Sequence, residues 1–466
     1  MRQPDIVLVN PNLLKPPVSP VGLEYIAGYL EKRKVALDIL DLNLPEETEI
    51  EHSIKSYFMN ADPVCVGVSI RNIDDSIYPS QRLILKDAKK IIRLIKRQTK
   101  APVILGGVGF SIMPLEVLGY VNGDFGICGD GEESLYQMVM CLKGKKPFHH
   151  VPGLVHKQQK KPVRPACMKA PGNITRKAID PAWYFENGAQ VGIETKRGCD
   201  GTCAFCADPV AKGRTFRFRR PFDVVREIKL FVDQGINCFH LCDPEFNRPL
   251  KHALSVCDAI IKSGISRKLK IYTYCSPLPF SEELAEKMQK SGFAGVDFGI
   301  DHLESSLLKN LGRDHLEEDV ARVTSWLKKR GIAVMHDLLL GGKGETGETL
   351  KRVIDKCRSS RADFIGVSCG VRMYPGTPFF KNLSPDDKKY LSQSGKDILA
   401  PLYYVAPYRE ETVDFLCEII GNDRKFFYQP LGEKFNYNYA DNERLASAIR
   451  SGERGAYWHI LGKSMK

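Results

Sequence analysis

No stretch of this chain carries the roughly eighteen consecutive apolar residues that a membrane-spanning helix needs, and the opening MRQPDIVLVNP enters a strand at once, without a secretory apolar region. The first absence argues against a membrane span; the second leads to an expected cytoplasmic location. Nothing in the chain has the composition of a disordered segment either, since 43% apolar and 27% charged residues is the balance of an ordinary folded protein. Without an export signal, the fourteen cysteines have no oxidising compartment in which to build a disulfide framework. Any that cluster are better explained by metal binding or catalysis. Most are scattered: Cys65, Cys128, Cys257, Cys357, Cys369 and Cys417 lie in apolar stretches, where a thiol behaves as a small hydrophobe.

What is present begins with size and charge. A chain of 466 residues exceeds what one hydrophobic core supports, so two or three domains are expected. The net charge of +12 fits nucleic acid, a membrane surface or an acidic protein partner such as an electron donor. Its basic runs, KDAKKIIRLIKRQTK and HKQQKKPVR, read as a solvated helix face and a loop.

Residues 1–150 alternate short apolar strands (DIVLVNP, ALDILDL, CVGVSI, PVILGG, FGICGDG) with helical patterns, which predicts a doubly wound, Rossmann-like α/β domain. Ligands of such sheets bind beyond the carboxyl ends of the strands, here marked by Pro11, Ser69, Gly106, Gly107, Gly129 and Gly131. Residues 151–188, rich in Pro, Gly and Lys, read as a linker. From 189 to 380 a strand and a helix alternate six times, from QVGIETK to FIGVSCGV, which predicts a partial (β/α)6 barrel with its site at the C-terminal rim. Residues 381–466 form a small α-rich segment whose aromatic clusters PLYYVAPY, KFFYQP, FNYNY and AYWHI are expected to cover the barrel or pack as ballast.

The loop after the first barrel strand, ETKRGCDGTCAFCADP, offers Cys199, Cys203 and Cys206 with no fourth ligand. Structural zinc closes a four-ligand shell; Cys238 and Cys242 complete one only if both turn toward the loop. A cubane 4Fe-4S cluster held by three thiolates keeps one iron open, which is a reactive arrangement.

C-x3-C-x2-C after the first of six βα units, with Phe205 before the last cysteine, resembles the radical S-adenosylmethionine (SAM) superfamily. In that family the open iron chelates SAM and an electron cleaves it to a 5'-deoxyadenosyl radical. Downstream, DPEFNRP is similar to the family's polar SAM-contacting segment (Asp243, Glu245, Asn247). VDFGIDHLESSLLKNLGR resembles its next motif, with Asp301 where Glu is usual and Arg313 in place, so the resemblance implies SAM contacts from these two and from Phe205 as well. LLLGGKGETGET resembles its Gly-rich turn, with Lys343 for proline. The N-terminal stretches PPVSPVGLEYIAGYL, VGVSI, VILGGVGFS and CGDGEES resemble the cobalamin-binding domain of one branch, which implies corrin contacts from Pro11, Ser69, Ile70, Arg71, Gly106, Gly107, Gly129, Gly131 and Glu132. The D-x-H-x-x-G loop that gives cobalt a histidine elsewhere reads NPNLLKPPVSPVG here and has none. Arg71 is then a candidate for the space beneath the corrin.

The resemblance implies a class B radical SAM methyltransferase that uses a 4Fe-4S cluster, SAM and methylcobalamin to methylate an unactivated sp3 carbon of a peptide, protein or natural product. Glutamine methylation in methyl-coenzyme M reductase is one specific expectation within it. A non-methylating cyclisation, rearrangement or carbon–carbon coupling is the alternative, and an electron-transfer protein a third. An acidic electron donor of flavodoxin or ferredoxin type and a monomeric state are expected, and nucleic acid is not. AKGRTFRFRR, from Ala211 to Arg220, interleaves Arg with Phe; the simpler reading is that Arg214, Arg217 and Arg219 hold cofactor or substrate anions.

Overall fold

The computed structural model describes residues 3–159, 164–168, 174–393, 399–428, 439 and 442–464. Much of the Lys/Pro-rich linker run and most of FNYNY lie outside them.

The N-terminal half builds one sheet from β1 (Ile6–Asn10), β2 (Leu37–Asp41), β3 (Cys65–Ser69), β4 (Val103–Gly106), β5 (Phe125–Ile127) and β6 (Leu154–His156). The order is β2-β1-β3-β4-β5-β6, parallel except for the last pair. Helices cover both faces, as the buried apolar residues on both sides of the sheet require. Leu85–Gln98 shows how the basic run folds: Leu85, Ala88, Ile91, Ile92 and Ile95 face the sheet and its lysines face water. β6 lies past the expected domain boundary at 150, because a three-residue edge strand is too short to show a period.

The second half opens with β7 (Val191–Ile193), followed by an antiparallel ribbon of β8 (Lys196–Arg197) and β9 (Arg217–Phe218) that brackets the cysteine loop. β10 (Cys238–Leu241), β11 (Lys270–Cys275), β12 (Phe293–Asp301), β13 (Ala333–Leu340) and β14 (Phe364–Cys369) complete the six expected barrel strands, all parallel. A minor ribbon pairs β15 (Val371–Arg372) with β16 (Tyr403–Tyr404). The C-terminal segment adds β17 (Phe426–Phe427) as a seventh barrel strand beside β14.

Alternate barrel residues point outward: Phe239, Leu241, Val296, Phe298, Val334 and Val367 share one core with the surrounding helices. Those between them point inward. At the N-terminal end of the strands, Cys238, Tyr272, Met335, Phe364 and Phe427 pack against Leu445, Ile449, Trp458 and Leu461 of the two last helices. The aromatic C-terminal segment therefore closes the floor of the barrel. The open end faces the N-terminal domain.

Candidate functional site

The cysteine loop is latched from two sides. Ala204 N donates to Leu311 O at 2.8 Å, Thr202 Oγ1 to Gly312 O at 3.0 Å and Phe379 N to Ala204 O at 2.8 Å. Gly312 has φ +72°, and a Cβ there would lie 2.3 Å from Thr202 O, so only glycine lets the two chains meet. Phe205 packs beside Leu311, Val371 and Met373. Gly201 N donates to Cys199 Sγ at 3.4 Å and Arg313 Nη1 to Cys203 Sγ at 3.1 Å. Burial pushes the Cys199, Cys203 and Cys206 thiols up, against the pull of Arg313 on Cys203. Such thiols hold their protons until a metal replaces them.

Among the described residues no three His, Cys, Asp or Glu side chains converge on one metal ion. A cubane asks for something different, each thiolate on its own iron. Cys238 is buried in the barrel floor, at the far end of its strand from this loop.

Arg313 gathers the downstream residues. Its Nε lies 2.6 Å from Asp301 Oδ2, without the angle of a hydrogen bond, and its Nη1 3.7 Å from Glu245 Oε1. Glu245 Oε2 is buried without a partner, and burial with the nearby Asp301, against the pull of Arg313, raises its carboxyl to about 7. Asp301 sits where the β12–β13 register shifts, at φ +56°. Asp tolerates that left-handed backbone better than Glu, which accounts for the residue type. The Lys343 departure is likewise accommodated, with Nζ 2.8 Å from Asp387.

The other two expected SAM contacts are differently employed. Asp243 takes hydrogen bonds from Thr195 N at 2.8 Å and Thr195 Oγ1 at 2.5 Å, and its Oδ2 pairs with Lys196 Nζ at 3.1 Å. These partners, working against its burial, hold its carboxyl below the usual range. Asn247 donates to Ser276 O at 2.7 Å and Pro279 O at 2.6 Å while accepting from Ser276 N at 3.0 Å. Both brace the rim and have little capacity left for a ligand.

The nine expected corrin contacts all come together. Ser69, Gly106, Gly107, Gly129, Gly131 and Glu132 line a cleft of about 930 Å³, mouth included, beyond the ends of β3, β4 and β5. Pro11, Ser69, Ile70 and Arg71 line an adjoining one of about 360 Å³. Leu8, Leu23, Ile26, Val68, Ile104, Leu105 and Leu135 make the larger cleft an apolar slot running into the sheet. A Cβ on Gly106 would have nothing nearer than 3.9 Å, so the slot wall is open there. Neither lining contains a histidine. The shape and lining suit a corrin nucleotide tail, and the donor set leaves cobalt without an imidazole from these walls.

The same larger cleft is walled by Glu194, Arg197, Ala211 and Lys212, which flank the cysteine loop. One cavity thus spans both domains. A buried charge network fixes it: Arg176 pairs with Glu24 at 2.5 Å and Glu227 at 2.8 Å, Arg219 with Glu227 at 2.6 Å, and Arg197 with Glu132 at 2.7 Å. Tyr25 OH donates to Glu227 at 3.0 Å and accepts from Arg219 at 2.9 Å. Arg217 pairs with Asp130 at 3.0 Å. The expectation that Arg217 and Arg219 hold cofactor anions is corrected by these contacts: both guanidiniums neutralise protein carboxylates between the domains. Arg214 instead donates to Gly201 O at 3.3 Å, on the loop itself. The network was missed because Tyr25, Arg176, Glu194, Arg197 and Glu227 look like surface residues one at a time.

Residues 193–357 match the radical SAM superfamily and residues 12–139 the B12 binding domain. Tryptophan 2-C-methyltransferase of Streptomyces laurentii is 26% identical over 98% of this chain and 96% of its own. The radical SAM methyltransferase of Kitasatospora setae, solved with tryptophan substrate and a SAM analogue, superposes with a TM-score of 0.90 at 27% identity, covering 100% of this chain and 98% of that one. The anaerobic magnesium-protoporphyrin IX monomethyl ester cyclase of Rubrivivax gelatinosus is 24% identical over 88% of this chain and 73% of its own. No helix among the described residues is long and apolar enough to cross a membrane.

Proposed function

This chain is a cobalamin-dependent radical SAM methyltransferase, and from that premise we propose that it methylates a carbon of a small aromatic amine of the tryptophan kind. The observation that carries the reading is the single cavity in which the corrin-binding slot and the flanks of the cysteine loop share walls. Cys199, Cys203 and Cys206 would hold the 4Fe-4S cluster, with Glu245, Asp301 and Arg313 beside its open corner. Cobalamin supplies the methyl group, and the cluster supplies a site for SAM and an electron. The protein's own part is to seat both, keep water out and hold the acceptor carbon in line.

A small substrate is favoured over a protein side chain because the C-terminal helices close the far end of the barrel lumen. The acceptor carbon sets the chemistry. An indole ring carbon is nucleophilic and accepts a methyl group directly, whereas an unactivated sp3 carbon first has to lose hydrogen to a deoxyadenosyl radical. Incubating the holoenzyme anaerobically with SAM, reductant and L-tryptophan, then weighing the products, tests both halves. A gain of CH2 without matching deoxyadenosine supports direct transfer, and equal deoxyadenosine supports the radical route. Loss of two hydrogens would instead make it a cyclase-type enzyme, like the Rubrivivax relative.

The net charge of +12 supports an acidic reductant of flavodoxin or ferredoxin type. Cytoplasmic location, a monomeric state, and units at 1–150, 189–380 and 381–466 joined by a linker at 151–188 complete the proposal.

A further inference from the structure

The contacts between the domains use only half of the run AKGRTFRFRR. Arg217 and Arg219 turn inward to protein carboxylates. The aromatic residues beside them turn the other way, as alternate positions of an extended ribbon do. Phe218 of β9 is 45% exposed, and Phe222, in the first turn of the helix Pro221–Val232, is 68% exposed. The Phe218 ring lies 5.8 Å from that of Phe216 and 4.8 Å from that of His252, which opens the neighbouring helix Leu250–Lys262. Folding gains nothing from leaving two phenylalanines so far in water, whereas an interface does.

The charges around these rings are mostly positive. Arg214, Arg220 and Lys251 are exposed. Arg220 and Arg226 pair with the same carboxylate, Asp223, at 2.6 and 2.8 Å, which leaves one of the two cations uncompensated. Arg214 has no carboxylate partner among the described residues. The exposed acids nearby, Asp200 and Asp314, share Arg248 at 3.4 and 3.5 Å.

This surface adjoins the one open side of the cysteine loop. The short helix Asp208–Lys212, which follows the loop, packs on Val108–Ile112 of the N-terminal domain, and Leu311, Gly312 and Phe379 hold the loop from the barrel. Its remaining turn shows Asp200 and Thr202 to solvent, beside Arg214 and Arg248. Cys199 N donates to Gly213 O at 3.1 Å, so the ribbon and the loop form one unit.

We propose that Arg214, Phe218, Arg220, Phe222, Arg226 and Lys251 form the docking surface for an acidic one-electron carrier protein. The proposal rests on the reading of Cys199, Cys203 and Cys206 as cluster ligands. One electron leaves the reduced centre of the carrier and the cluster gains it, with no bond made or broken. Opposite charge steers the carrier to the loop, and the two exposed rings desolvate on contact. Redox encounters are small and short-lived, so a patch of this extent suffices.

Titration calorimetry of an acidic flavodoxin into the cluster- and cobalamin-loaded chain reads the binding directly. The wild type is expected to bind at low salt and to weaken as added salt screens the charges. Arg220→Glu/Phe222→Ser/Lys251→Glu, all at exposed positions, should keep the circular dichroism and iron content of the wild type and raise Kd by about tenfold or more. Reduction of its cluster by flavodoxin should slow in proportion, while reduction by dithionite stays within about twofold. Lys90→Glu/Arg93→Glu, on the second basic face along Leu85–Gln98, should leave flavodoxin binding within about twofold. A folded triple variant that binds flavodoxin like the wild type, or a Lys90/Arg93 variant that loses it equally, overturns the proposal. So does a wild type that binds no flavodoxin at low salt, or a patch whose substitution abolishes binding of single-stranded RNA or of a second copy of this chain instead. Iron and sulfide content and the visible spectrum of the loaded wild type report separately on the cluster reading.

Discussion

At the residue scale, Arg313 carries the most distinctive chemistry. One guanidinium contacts Cys203, two buried carboxylates and the Gly299 carbonyl. Lysine keeps the charge but has three donors on one nitrogen, against the five of the planar guanidinium fork that spans these four groups. Arg313→Lys should therefore leave expression intact and lower SAM turnover at least about tenfold, read by deoxyadenosine and S-adenosylhomocysteine release, a loss worth about 1.4 kcal/mol. Histidines give a second test. His336 is 1% exposed, bonded to Thr324 Oγ1 at 2.8 Å, and burial lowers it to about 3. Its folded value lies below the unfolded one of about 6.5, so its contribution to stability is complete above pH 6.5 and is lost as pH falls toward 3. The slope is at most about 1.4 kcal/mol per pH unit. His336→Gln keeps a partner for Thr324 without titrating, and should remove about 2 kcal/mol of the stability lost between roughly pH 6.5 and 5 in urea titrations.

At the scale of elements, the sequence was most readable where spacing is rigid. Three cysteines, a strand of period two and a glycine at a strand end are local signals, and all nine expected corrin contacts line the two clefts. Asp243 and Asn247 show the limit: a polar motif locates a rim without telling a ligand contact from a brace. The floor depends on contacts across most of the chain, such as Trp458 on Tyr272 and Phe364, which no local pattern records. Trp458→Ala should cost about 3–5 kcal/mol of barrel stability by chemical denaturation. Gly312→Ala acts elsewhere, forcing the cysteine loop off its latch. Iron content after reconstitution should fall severalfold while cobalamin content stays near the wild-type level.

For the whole molecule, the arrangement of the two domains is itself the functional feature. Charged residues that no local pattern links make a buried lattice from Glu24 through Arg176 and Glu227 to Arg219. Removing one member leaves unpaired charge inside, so Arg176→Met should cost about 3–5 kcal/mol. Limited proteolysis should then release the domains separately, and cobalamin should dissociate faster. The central claim is that one cavity seats the corrin beside the cluster. Electron paramagnetic resonance of holoenzyme reduced to contain both cob(II)alamin and the paramagnetic cluster tests it most directly. The account predicts spectra broadened by spin–spin coupling between the two centres, with cobalt lines free of nitrogen splitting from a lower imidazole. Two unperturbed spectra that simply add, or a nitrogen triplet on the cobalt lines, would contradict it.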